Sequence, residues 1–224
     1  MIILALDTTS EFGSIALHRD GRAIAELSLH APAGFSRVLF DAVTDLKNKA
    51  EFALEECDCF AAAAGPGSFT GVRVGLSAVK GLAEAMRKQV CGVSNLRALS
   101  SFGKIAGLRA VAFDARRGDV YAAIYDHHLQ LVSPETVCRF TDWLAQLDRA
   151  AAYEFIFPEN SPWIRELAQS PFRDMPVHHA PLSLAAAVAL CAEQDGKAGR
   201  WLDPAALDAN YVRRSDAELF WKEG

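Results

Sequence analysis

No C-x-x-C pair and no H-x-x-x-H or H-x-x-E-H pattern occurs in the 224 residues. The five cysteines (Cys57, Cys59, Cys91, Cys138, Cys191) are odd in number, and Cys57 and Cys59 have no second ligand pair at zinc spacing. Reduced, mostly buried thiols in a cytosolic protein are expected. Positive charge is also scarce: 23 Lys and Arg against 28 Asp and Glu leave a formal charge of −5. The basic pairs Arg87-Lys88, Arg116-Arg117 and Arg213-Arg214 are short and scattered, which argues against gripping nucleic acid directly through its phosphates as the main activity. Long apolar runs are missing. Residues 182–192 supply about half of the ~20 residues that a membrane helix needs and predict a buried helix. The opening MIILAL is too short for a signal core, has no basic lead and is interrupted by Asp7, so a soluble, cytoplasmic protein is expected. No nucleophile, base and orienting group assemble, which leaves a proteolytic role without support, and no metal site is expected. His178-His179, between Pro176 and Pro181, predicts a surface strand end, because neighbouring side chains in an extended segment point apart.

What is present is 51% hydrophobic, enough for a sizeable core. Apolar runs and turn signals predict strands over 2–6, 14–18 and 22–29, a helix over 36–49, a strand over 59–64, a helix over 70–88 and a strand over 90–93. Residues 95–105 suit a helix or a loop. A second set follows: strands over 110–113, 120–125 and 129–137, a helix over 141–149, a strand over 154–157, and helices over 161–169 and 182–193. A weak repeat is embedded here. Leu4-Ala5-Leu6-Asp7, a turn and residues 14–17 match Ala112-Phe113-Asp114, a turn and residues 120–124. Each copy carries an Asp on an apolar strand into a tight turn. Two similar α/β units are predicted, over 1–107 and 108–224, with a boundary near Gly107 and a final segment able to pack back on the first unit.

Residues 61–86, AAAAGPGSFTGVRVGLSAVKGLAEAM, place a strand, a glycine turn and a helix start in succession. The stretch fails G-x-x-x-x-G-K-[ST], because Thr70 stands where the second Gly should be, and it fails G-x-G-x-x-G by one residue. The helix start and Arg73 could still hold an anion, whereas Thr70 as an N-cap would take up the same amides. Gly71, Gly75 and Gly81 each cost a helix about 1 kcal/mol relative to Ala, so something is expected to pack on the bare backbone. That is either the chain's own core or a partner. Asp7, Thr8 and Thr9 could bind metal and phosphate or cap a turn. Asp114 is the weaker candidate, because Arg116-Arg117 would fill a phosphate loop there.

Leu4-Ala5-Leu6-Asp7-Thr8-Thr9, Gly65-Pro66-Gly67-Ser68-Phe69-Thr70-Gly71-Val72-Arg73-Val74-Gly75 and Asp114-Ala115-Arg116-Arg117-Gly118-Asp119-Val120-Tyr121 together closely resemble the TsaB (YeaZ) family. The likeness fades after about Tyr153 and returns at Tyr211-Val212-Arg213. The resemblance implies the actin/sugar-kinase/heat-shock-ATPase fold, built of two RNase H-like halves. It implies a non-catalytic partner of TsaD, the subunit that transfers threonylcarbamoyl to the adenosine beside the anticodon of ANN-decoding tRNAs, with the ATPase TsaE joining the pair. It also implies a homodimer without TsaD, tRNA met only through the complex, and no cofactor of its own, with ATP or ADP at the complex. The implied partner or dimer face comprises Ser36, Leu39, Val43, Phe69, Thr70, Gly71, Val72, Arg73, Gly75, Leu76, Val79 and Lys80, with Asp7, Thr8 and Thr9 as a degenerate nucleotide site. On this reading the glycines serve a close helix–helix seam with another chain. One departure is that Phe35 precedes Ser36 where many members carry His. The rival expectation is an ATPase or phosphotransferase of the same fold using Asp7.

Overall fold

A computed structural model describes residues 1–212. Tyr211-Val212 is described, and the family-like Arg213 after it lies outside the described residues. The first half runs β1 (Ile2–Asp7), β2 (Phe12–Arg19), β3 (Arg22–His30), α1 (Leu39–Lys49), β4 (Cys59–Gly65), α2 (Phe69–Met86), β5 (Gln89–Ser94) and α3 (Asn95–Ser100). The second runs β6 (Leu108–Asp114), β7 (Asp119–Tyr125), β8 (Leu131–Arg139), α4 (Phe140–Gln146), β9 (Tyr153–Pro158), α5 (Ile164–Ala168), β10 (Val177–Ala180) and α6 (Ala185–Lys197).

Each half forms one five-stranded mixed sheet. The orders are β3-β2-β1-β4-β5 and β10-β9-β6-β7-β8, which is the same order written from opposite edges. The repeat is therefore real in topology. In both sheets an antiparallel hairpin joins a parallel pair, Asp7 faces Ser14 at the end of the first hairpin, and Asp114 faces Val120 at the end of the second. Gly107 lies in the link between the sheets.

The period-2 alternation of a strand explains the layers. Leu4 and Leu6 of β1 enter a core with α1 and α2, while Ile3 and Ala5 enter one with α6. In the second sheet, Ala110 and Ala112 pack toward α4 and Val111 toward α3. Thus α3, which follows the first sheet, packs on the second. α6, which follows the second sheet, packs on the first, where Val188, Ala189 and Ala192 are fully buried. Most of the apolar run over 182–192 lies in a buried helix, which begins at Ala185, and no helix among the described residues is long and apolar enough to cross a membrane. All five cysteines are free thiols, four of them buried.

Three expectations need correction. α1 begins at Leu39 rather than 36, because Phe35 is drawn into the core beneath Gly13 and the chain makes a turn first. The helix expected over 161–169 shrinks to five residues, because Pro162 and Trp163 form its entry turn. His178 lies within a strand rather than at a surface strand end. β10 pairs parallel with β9, and His178 Nε2 sits 2.6 Å from Oε1 of the fully buried Glu154. His179 points to solvent.

Candidate functional site

The two hairpin turns face each other across an interlobe cleft of about 770 Å³. Asp7, Thr9, Ser10 and the buried Asn95 line one wall and Asp114, Ala115, Arg116 and Arg117 the other, with the exposed Phe69, Thr70 and Tyr211 also lining the cleft. Asp7 is 2% exposed. One carboxylate oxygen accepts from Thr9 N at 3.0 Å and Thr9 Oγ1 at 2.6 Å, and the carboxylate also takes a backbone hydrogen bond from Leu184. The next amide, Ala185 N, donates to Ser14 Oγ at 2.9 Å. Asp7 and Ser14 thereby satisfy the first amides of α6, where a carboxylate also complements the helix dipole. Burial pushes the Asp7 carboxyl above its usual range, against the lowering pull of those hydrogen bonds.

Thr9 and Thr8 are engaged as well. Asn95 Nδ2 donates to Thr9 Oγ1 at 2.6 Å, and Asn95 Oδ1 accepts from Gly65 N at 3.0 Å. Thr8 Oγ1 donates to Gly71 O at 2.7 Å. In the suggested degenerate nucleotide site, Asp7 and Thr9 thus line the cleft while hydrogen-bonded within the chain, and Thr8 bonds α2. The Asp7 carboxylate bonds the amide before α6, and the Thr9 amide bonds Asp7. Among the described residues no group of three or more His, Cys, Asp or Glu could hold a metal.

The glycine stretch is resolved by contact distances. A Cβ on Gly67 would lie 2.8 Å from Thr9 O and one on Gly75 2.7 Å from Thr8 Oγ1, while one on Gly71 would overlap Thr8 O outright. The close seam expected with a partner is formed within the chain, between α2 and the β1–β2 turn. A Cβ on Gly81 meets nothing within 4 Å. The N-cap of α2 is Ser68, whose Oγ accepts from Gly71 N at 3.3 Å. Thr70, expected to cap, lies inside the first turn.

The residues of the implied partner face divide by exposure. Leu39, Val43, Val72, Leu76 and Val79 are buried in the chain's own core, and Gly75 is buried beneath Thr8. Ser36, Phe69, Thr70 and Arg73 are exposed, and Gly71 and Lys80 are half-buried. Sequence periodicity had not separated the two faces of α2, since both carry small residues. The exposed strip adds Val38 and Phe40 of α1 and Tyr211, whose ring stacks on Phe69 at 5.5 Å and whose hydroxyl accepts from Arg73 Nε at 3.1 Å. The Arg73 guanidinium lies 3.8 Å over the Phe69 ring, a cation–π pair. The lobe-2 turn differs from its counterpart. Arg116, Arg117 and Gly118 all take positive φ, and Asp114 Oδ1 accepts from Arg116 N at 2.8 Å.

Residues 30–193 match the family model of TsaD, tRNA N6-adenosine threonylcarbamoyltransferase. A crystal structure of a Pseudomonas aeruginosa protein described as similar to the peptidase YeaZ is 30% identical, with a TM-score of 0.78 over 95% of this chain and 99% of that one. The chain belongs to the TsaB (YeaZ) branch of the TsaD family. The family's tRNA threonylcarbamoyladenosine biosynthesis protein TsaB from Bacillus subtilis is 36% identical over 151 residues, 66% of either chain. The TsaB of Escherichia coli is 37% identical over 128 residues, 56% of this chain and 55% of that one. The chain thus spans between about half and two thirds of these curated relatives. An activator of 2-hydroxyisocaproyl-CoA dehydratase from Clostridium difficile superposes with a TM-score of 0.52 at 11% identity, which bears on fold alone. The family's fold is that of the actin/sugar-kinase/heat-shock ATPases, two lobes about a cleft.

Proposed function

We propose that this chain is a non-catalytic partner subunit in tRNA threonylcarbamoyladenosine formation. It pairs with TsaD, is joined by TsaE, pairs with itself when TsaD is absent, works in the cytoplasm and meets tRNA only through the complex. Any ATP or ADP belongs to that complex and not to the chain's own β1–β2 turn. The observation that carries the reading is the use of Asp7. In a phosphotransferase of this fold class an acidic side chain handles metal and phosphate in the cleft; here the Asp7 carboxylate lines the cleft but is buried and taken up by Thr9 and by the Leu184 amide before α6. Membership of the TsaB branch supplies the pathway. The partner contact is assigned to the outward strip of Ser36, Val38, Phe40, Phe69, Thr70, Arg73 and Tyr211, because aromatic and arginine side chains dominate docking energetics.

Sedimentation velocity of the chain, alone and mixed with its TsaD counterpart, tests this. A homodimer that exchanges into a one-to-one heterodimer is expected. A chain that stays monomeric and ignores TsaD overturns the reading. The rival requires saturable ATP turnover by the isolated chain that is abolished in Asp7→Asn, a variant that keeps the turn's shape.

A further inference from the structure

The cleft mouth and the α2 strip are joined by one short segment. Leu207 is buried in the first lobe and packs over Gly92, where a Cβ would lie 2.8 Å from Leu207 Cδ1. Asn210 N donates to Ala64 O at 2.8 Å, anchoring the segment at the end of β4. The Asn210 amide group then crosses to the second lobe: Nδ2 donates to Glu135 Oε2 of β8 at 2.7 Å and, at 3.4 Å, to Gly65 O. The other oxygen of Glu135 accepts from Tyr125 Oη at 2.6 Å and from Ser94 Oγ. Ser94 in turn caps α3 by accepting from Leu96 N at 3.1 Å. One carboxylate therefore takes hydrogen bonds from the first lobe, the second lobe and the tail. Two of its partners line two different spaces. Asn210 lines the cleft, and Tyr125 lines a second pocket of about 440 Å³ together with Arg97, Asp195 and Leu202. The residue after Asn210 is Tyr211, which makes the stack with Phe69 and Arg73 on α2.

We infer that residues 207–212 are a strap that fixes the opening between the lobes through Glu135 and holds the aromatic end of α2 in its docking shape. The strap itself stands on the contacts above; its effect on docking rests on the partner-subunit reading. The two oxygens of a carboxylate have acceptor sites enough for all three bonds. Asn210 and Tyr211 are adjacent, so a shift that breaks the first displaces the second. The strip on α2 is therefore presented in one arrangement only when the lobes are closed on Glu135.

The test uses the full chain in a Cys138→Ser background, with spin labels at Asp45→Cys on α1 and Arg173→Cys on the second lobe, both exposed. One narrow interlobe distance is expected, broadening in Asn210→Ala and more so in Glu135→Ala. If Glu135→Ala fails to fold, Asn210→Ala decides, since it leaves Ser94 and Tyr125 on the carboxylate. The nuclear Overhauser contact between the Phe69 and Tyr211 rings should weaken in the same variants. Affinity for TsaD should fall about tenfold in Asn210→Ala, the size of one lost hydrogen bond to a charge. An unchanged distance distribution overturns the lock. A broadened one with an intact ring contact, or with full TsaD affinity, overturns the coupling. If the parent chain does not bind TsaD, the partner reading fails, while distance and ring contact still decide the strap.

Discussion

The β1–β2 turn and the β6–β7 turn occupy the same place in two sheets of the same strand order, and they are built in opposite ways. The first is small and polar, with its side chains spent on neighbouring elements: Thr8 bonds α2, Thr9 is met by Asn95 of α3, and Asp7 takes the amide before α6. The second carries two consecutive arginines in left-handed backbone and an Asp bonded to its own turn. The helices that follow diverge too. α2, between β4 and β5, has 18 residues, and α5, between β9 and β10, has five. A duplicated backbone thus preserves topology without preserving chemistry. The first lobe became the fastening point for the rest of the chain, and the second kept the sheet.

The sharpest test of that asymmetry is Gly71→Ala. Its Cβ would overlap a backbone carbonyl, which cannot rotate away as a side chain can. A loss of about 3 kcal/mol is expected, the upper end for overpacking, measured by urea unfolding. The same method should find Gly81→Ala stabilising by roughly 0.5–1 kcal/mol, since that position is open helix interior. Equal effects at the two glycines would break the assignment of the seam to the chain itself.

α6 sharpens the comparison from the other end, because it follows the second lobe yet is bound to the first. Glu193 accepts from His18 Nε2 at 2.6 Å and Gly21 N at 2.8 Å and pairs with Lys197 at 2.6 Å. Burial alone would raise its carboxyl; the hydrogen bonds from Lys197, His18 and Gly21 outweigh it and hold the group at about 2, below the ordinary 4.5. A depressed folded pKa means stability that is present above about pH 4.5 and lost as pH falls toward 2. Because Lys197 is largely exposed, screening trims this to roughly 2 kcal/mol. Glu193→Gln should flatten that acid limb in a series of thermal melts. Asp7 has the opposite sign: its raised pKa means that protonation relieves a burial penalty as pH falls. Asp7→Asn should therefore steepen the net acid loss.

Next in size is the cap of α2. Ser68→Ala should cost about 1 kcal/mol, the usual value of an N-cap hydroxyl. Thr70→Ala, one turn position inside, should cost a few tenths at most, since nothing about its side chain closes an amide of the helix. Reversal of the two would restore Thr70 as the cap.

Much of the fold was legible because periodicity and turn residues were consistent. β1 reads as a buried strand, the Asp20-Gly21 hairpin falls where expected, and the repeat of Asp7 and Asp114 anticipates the two sheets. The site was legible only in part. The motif at 65–75 located the right segment, but sequence alone could not say whether Gly71 and Gly75 face a partner or Thr8, because the contact spans more than 60 residues of chain. Glu135, Asn95, Ser14 and Asn210 were missed for the same reason. Each is an isolated polar residue whose partners are distant in sequence, and only the folded chain assembles them. Ser68 was passed over for Thr70, since both precede a helical pattern and the cap is decided by where φ and ψ turn helical.

The smallest expected effect concerns the second turn. Arg116 holds φ at 65° and is exposed. An L-residue in that region gives up about 1–2 kcal/mol, and glycine avoids this but loses about 0.5–1 kcal/mol through its extra freedom when unfolded. Arg116→Gly should therefore leave stability unchanged or raise it by a few tenths of a kcal/mol. This follows from the difference between the turns, because the first holds its neighbours through side chains and the second holds its own shape, with the Asp114 carboxylate on the Arg116 amide. Asp114 accepts from the Arg116 amide, which glycine keeps, so the turn should survive the change. A loss above about 1 kcal/mol in urea unfolding, beyond what a surface substitution gives, would show that the Arg116 side chain fastens the second lobe as Thr8 fastens the first, and the two turns would then be alike in role as well as in place.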